Sequence, residues 1–382
     1  MASALPHFKL NPRCLRLLGL LFVLLPIPCS AQAPQTFDDL SAAATTAREQ
    51  NDIPRAITLY AQAVKLRPDW PDGWWFLGLL QYEANNFADA RDAISHYIEL
   101  TPHAAPALAL RGLCEFETAE YQQSLQDIQL ALSLGAANKT HNEQILRYHE
   151  ALLLTRTSRF EQAITAYAYF AKNGIDDPDM LVGLGLAGLR TPLLPKEVAA
   201  SQRDLYSAAG KAAFHFLAGD EAVARQDFQL MFQAFPSTPS THYLYGYLLF
   251  AKDPDAAAEE FRKELAVVPA SASANAMLAW TFLMQNNASG ALFYARKAAA
   301  EEPSRASTQL VLGRSLSETG ELNPGIEHLQ KALQLEPENL EIHLALVRAY
   351  STSGRKEDAR RERLQCLQMT QANTPDSKAD SR

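Results

Sequence analysis

Residues 71–102 read PDGWWFLGLLQYEANNFADARDAISHYIELTP, and the outline of this stretch recurs along most of the chain. Its closing proline is one of a series, Pro68, Pro102, Pro236, Pro269, Pro303 and Pro337, with gaps of 34, 134, 33, 34 and 34 residues. The long gap is close to four short ones. A fixed period of this size marks one supersecondary unit stacked many times, because a single unit cannot bury its apolar face alone. Inside the unit the apolar residues keep helical rather than alternating spacing. The polar Asn85-Asn86 step divides it into two helices joined by a short turn.

The landmarks of the unit have physical roles. Trp74 and Leu77 are expected to bury the inner face of the first helix, and Gly78 to let the second helix approach closely. Ala90 does the same from the second helix, where a larger side chain would clash, and Pro102 stops the helix. On the same frame, residues 37–68 carry Leu40, Ala56 and Tyr60, and residues 105–136 carry Leu108, Gly112 and Ile128. Residues 144–175 carry Ala151, Ala163 and Tyr167, and residues 205–236 carry Ala224 and Phe228. Further units occupy 239–269, 272–303 and 306–337. A last pair at about 340–371 has a strongly charged second helix, suited to a terminal cap.

The series Trp74-x-x-Leu77-Gly78…Ala90-x-x-x-Ile94…Pro102 resembles the tetratricopeptide repeat. The resemblance implies an all-α fold, a right-handed superhelical solenoid of antiparallel helix pairs, with about nine repeats and one degenerate unit. The expected organisation is a signal peptide at 1–31, an N-terminal block at 37–175 and a degenerate repeat at 176–204. A C-terminal block at 205–371 and a disordered tail at 372–382 complete it. The degenerate unit contains Pro192 and Pro195, which cannot sit in a continuing helix. A packed irregular loop and a hinge or partner contact are both open readings of it.

Lys9, Arg13 and Arg16 precede the apolar run Leu17–Leu25, and small residues come next at Cys29-Ser30-Ala31. This is the pattern of a secretory signal cleaved after Ala31, so the protein is expected to be exported, periplasmic or secreted. Retention of the segment as an anchor and lipidation at Cys29 are the alternatives, Pro28 standing against the second. Without the segment the net charge moves from −8 to −11, which gives no electrostatic reason to bind nucleic acid. Cys114 and Cys366 then remain, far apart in an array whose units touch only neighbours, so a disulfide between them is not expected.

No catalytic motif stands out. Gly183-x-Gly185-x-x-Gly188 has dinucleotide-loop spacing but lies in an apolar helical stretch, where close packing explains it better. The histidines form no metal-site pattern, and no cofactor, metal or enzyme activity is expected. In the family it resembles, first helices line a concave face that takes partners. Trp75, Tyr82, Phe116, Tyr148, Phe216, Tyr243, Tyr247 and Trp280 fall in inward slots and form the expected partner-binding groove. The expected function is a non-enzymatic scaffold for another protein or peptide segment, or a second copy of the chain, in an envelope complex. The alternative is an accessory protein binding a glycan, since aromatics on a concave face also stack on sugar rings.

Overall fold

The computed structural model describes residues 36–135 and 141–372. These residues form 19 α-helices and no strand. The signal segment, the Ala136 slot and residues 373–382 of the expected tail lie outside them. The chain divides at Arg67/Pro68 into two compact units.

The first unit contains one helix pair, α1 (Phe37–Glu49) and α2 (Ile53–Leu66). Thr36 and Asp39 form a reciprocal capping box that satisfies orphan N–H groups at the start of α1. Leu40, Ala44 and Ala47 of α1 and Ala56, Tyr60 and Ala63 of α2 are buried. The Arg48 Nε donates to the Tyr60 hydroxyl at 3.3 Å, which gives that buried phenol a polar partner.

The second unit opens with three pairs: α3 (Pro71–Glu83) with α4 (Phe87–Leu100), α5 (Ala105–Glu117) with α6 (Tyr121–Ser133), and α7 (His141–Arg156) with α8 (Phe160–Lys172). The short helix α9 (Pro178–Gly188) comes next, then two 3-10 turns, Pro195–Glu197 and Ala200–Gln202. Regular pairing resumes with α10 (Arg203–Ala218) and α11 (Glu221–Ala234), then α12 (Thr241–Leu249) and α13 (Pro254–Val267). It continues through α14 (Ala272–Met284) with α15 (Ala288–Glu301), α16 (Ala306–Glu318) with α17 (Leu322–Leu335), and α18 (Leu340–Thr352) with α19 (Lys356–Ala372). Each helix packs mainly on its chain neighbours. The periodic prolines stand two residues beyond the ends of α2, α4, α11, α13, α15 and α17.

The small residues of the repeat sit where helices cross. A Cβ on Gly78 would lie 2.5 Å from Ile94 Cγ1, and one on Gly112 2.7 Å from Ile128 Cγ1. Ala90, Ala163, Ala224 and Ala257 are fully buried opposite. Trp74 departs from expectation. Its indole is half-buried, lies tilted against His96 with ring centroids 4.4 Å apart and donates to the Pro68 carbonyl at 2.8 Å, because the slot lies at the margin of the pair.

Turns within pairs share one backbone device, except between α12 and α13, where no residue takes a positive φ. Asn85, Ala119, Ser158 and Asn286 adopt φ between 57° and 62°, and Gly219, Gly320 and Gly354 fill the equivalent positions. At Ala119 the N–H donates to the Phe116 carbonyl, and the next N–H, of Glu120, donates to the Glu115 carbonyl. This is the Schellman ending, which satisfies the last carbonyls of a helix.

The degenerate unit uses the same device. Arg190, at φ 58°, ends α9 with the bonds Arg190 N–H to Ala187 and Thr191 N–H to Leu186. A packed loop then takes the place of a second helix. Leu194 and Pro195 are buried, Arg156 donates to the Pro192 carbonyl at 2.6 Å, and Glu197 accepts from the Leu194 N–H at 2.7 Å. Helix α9 is buried almost throughout and packs most closely on α10. A Cβ on Gly185 would lie 2.7 Å from the Tyr206 carbonyl carbon, and one on Gly210 equally close to that of Leu181. The glycine triplet of α9 is therefore a helix-crossing device. One apolar cluster runs without a break from Phe116 through α9 to Leu248.

Candidate functional site

A cavity of about 920 Å³ lies within the second unit, bounded by segments distant in the chain. One side is the Ser158-Arg159 turn with Glu161 and Gln162 from the first turn of α8, and Gln122 of α6. The other side is built from the starts of α14, α16 and α18, contributing Ser273, Met277, Trp280, Arg305, Ser307 and the Glu336–Leu340 loop. Tyr243 of α12 lies between the two.

Glu161 organises the polar part of this site. Its Oε1 accepts from the Tyr243 hydroxyl at 2.8 Å, pairs with Arg190, and stands 4.0 Å from Arg305. Arg190 also reaches the Tyr243 hydroxyl at 3.4 Å and lies over the Phe160 ring. Burial alone would raise the Glu161 carboxyl and lower the Arg190 guanidinium. Their pairing prevails, holding Glu161 below the usual carboxylate range and Arg190 above its ordinary value. Burial, reinforced by the Glu161 charge, pushes the Tyr243 phenol up, so it remains a donor. Arg305 is further tied to Ser273 at 3.0 Å and Glu302 at 2.9 Å.

Four neutral, solvent-exposed side chains on the cavity wall have no hydrogen-bond partner among the described residues, Gln122, Ser158, Gln162 and Ser307, and the charged Arg159 and Glu338 beside them have none either. These neutral groups can each donate and accept. Trp280 is half-buried beside them, with the Arg314 guanidinium 4.6 Å from its ring.

The eight aromatics expected in the groove separate into groups. Tyr243 and Trp280 reach the cavity. Phe216 and Tyr247 line a second, apolar hollow of about 300 Å³ with Ile164, Leu248 and Phe250. Trp75 packs on Tyr97 at 5.2 Å and Tyr82 on Phe87 at 5.5 Å, both half-buried. Phe116 is only 7% exposed, edge-on to His149 at 4.8 Å, and Tyr148 lies edge-on to Phe170. Tyr243 is 3% exposed, so it acts through its hydroxyl rather than its ring face. Large first-helix residues in these slots are covered to differing degrees by the next pair.

Sequence reasoning passed over Glu161, Arg190 and Arg305. Arg190 carried one usable signal, because it stands where the other pairs place a turn residue. Nothing local marks Glu161 or Arg305, whose meeting depends on how intervening pairs stack. Among the described residues no three His, Cys, Asp or Glu side chains could hold a metal ion, and no helix is long and apolar enough to cross a membrane. Cys114 and Cys366 are free and buried.

Models of the tetratricopeptide repeat match residues 41–105, 148–213, 306–339 and 325–376, together more than half of the chain. No curated protein matches the sequence significantly. Solved structures similar to parts of the chain include a crystal structure of MamA, 20% identical over 42% of this chain and 95% of that one, with a TM-score of 0.38. MamA 41-end from Desulfovibrio magneticus RS-1 is 21% identical over 46% and 97%, with a TM-score of 0.37. The Cut9 and Hcn1 hetero-tetramer of the APC/C is 13% identical over 88% and 80%, at 0.34. Scores this low add nothing to what the helices themselves show. With the repeat landmarks in phase, the Schellman turns repeated and the family models matched, the chain belongs to the tetratricopeptide-repeat family of protein-interaction scaffolds.

Proposed function

We propose that the cavity beside Trp280 and Tyr243 holds a segment of a partner protein, and that the chain serves as a scaffold without chemistry of its own. The observation that carries this reading is the wall of uncommitted polar side chains, the neutral Gln122, Ser158, Gln162 and Ser307 with the charged Arg159 and Glu338, around a space of about 920 Å³. An extended strand occupies about 4.8 by 10 Å in section and 3.3 Å in length per residue, so the space takes roughly six residues. An extended segment brings unpaired N–H and C=O groups that need such partners. Trp280 supplies apolar area beside them.

The scaffold is further proposed to work outside the cytoplasm, in a bacterial envelope complex. The support is the sequence pattern of residues 1–31, basic, then apolar, then small. Amino-terminal sequencing of protein recovered from the source cell is expected to begin at Gln32, and a start at Met1 refutes cleavage.

The binding reading is tested with a photo-crosslinking amino acid placed at Gln162, at Ser307 and, as a control away from the cavity, at Arg296. Discrete adducts with one protein from the two cavity positions, absent from the control, are expected. No adduct, or the same adducts from all three positions, refutes the cavity as the binding site.

A further inference from the structure

Units of a solenoid touch only their neighbours, so contacts between distant pairs need a separate explanation. Helices α8 and α16 do not pack as neighbours, yet Glu161 and Arg305 approach to 4.0 Å across the cavity. The two ends of this contact differ in how firmly they are held. Glu161 is fixed at its carboxylate by Arg190 and by the Tyr243 hydroxyl at 2.8 Å, and Tyr243 is itself buried. Arg305 is a long side chain at the start of α16, 29% exposed. It makes no side-chain cap for that helix and is held otherwise by Ser273 and Glu302 on its own side of the cavity.

We propose that Glu161 and Arg305 form a latch across the cavity, which holds the α8 side against the α14–α16 side and releases them for a partner segment to enter. The proposal rests on the cavity being the binding site, and adds how access to it is controlled. At 4.0 Å, with both side chains about a third exposed, the attraction is modest and partly screened by salt, so the closed state is shallow enough to open reversibly. The stacked pairs between the two sides act as the flexing element, since each inter-pair step contributes a small rotation.

Spin labels on Ser158→Cys and Glu338→Cys, exposed residues on opposite sides of the cavity, report the aperture directly. The two native cysteines are buried. In dilute buffer a single narrow distance distribution is expected. Arg305→Gln is expected to give a longer mean distance and a broader distribution, and the otherwise unchanged protein in 1 M salt is expected to shift the same way. Arg296→Gln, a control whose charge lies outside the cavity, leaves the distribution unchanged. A distribution unaltered by Arg305→Gln overturns the latch. Should that variant lose helix content, an unaltered distribution in 1 M salt overturns it instead. The measurement needs no ligand. A responsive latch without cavity adducts refutes only the binding reading, and adducts with an unresponsive aperture refute only the latch.

Discussion

Replacing Gly185 by alanine tests the crossing of α9 and α10 most directly. The added Cβ would overlap the Tyr206 carbonyl oxygen and lie 2.7 Å from its carbon and 3.0 Å from the Gly210 nitrogen. These are backbone atoms of a helix, so no side chain can rotate away. The helices must separate by more than about 1 Å to restore ordinary contact, and a gap of that size forfeits about half or more of each dispersion well along the seam. Overpacking of a well-filled interior costs about 1–3 kcal/mol, and the rigidity of both partners places this case near the upper end. Alanine recovers about 1 kcal/mol of helix propensity over glycine, leaving a net loss of about 2 kcal/mol. Urea unfolding followed by circular dichroism is expected to show a lower midpoint with unchanged slope. The companion variant Gly210→Ala is expected to cost a similar amount, while the double variant costs less than the two together, because one separation admits both methyl groups. Gly185→Ala with wild-type stability or better would refute the backbone-to-backbone crossing.

Ala119→Gly is expected to raise stability by about 0.5–1 kcal/mol in the same assay, since Ala119 is exposed at φ 62°, where a Cβ is strained. Buried Glu115 has a carboxyl pushed up to about 7, chiefly by burial, then by Asp127 against the opposing pull of Arg111. Its folded form binds the proton more tightly than the unfolded chain, so its contribution is present below about pH 4.5 and is lost as pH rises through about 7. Glu115→Gln should therefore gain on the wild type by roughly 1–3 kcal/mol between those limits, and a constant difference across them contradicts this. The Cys114 thiol is fully buried and pushed up to about 12, so thiol reagents at pH 8 should modify it only after unfolding. Trp280→Ala is expected to keep the helical spectrum and lose the adduct formed from Gln162, and a persisting adduct removes Trp280 from the binding surface.

The sequence by itself determined the repeat. Proline two residues past a helix end, small residues at the crossing of each pair, and a polar or glycine turn between its helices are local requirements of backbone geometry and packing, so they recur at a fixed spacing. It also marked the break at Pro192 and Pro195, and the structure resolves that break as a packed loop whose helix ends on the same turn as the others. The glycine triplet could be assigned to packing because it lay in an apolar helical run, although its contact with α10 was not readable. Tertiary structure alone decided the cavity. Glu161, Arg190, Tyr243 and Arg305 come from four segments distant in the chain, and their meeting depends on small inter-pair rotations accumulated over several steps. Periodicity indicates which face of a first helix turns inward and named eight aromatics there, of which Trp280 and Tyr243 border the cavity. It does not fix how far the next pair covers each slot, and so Phe116 is interior while Trp280 remains at the surface of the cavity.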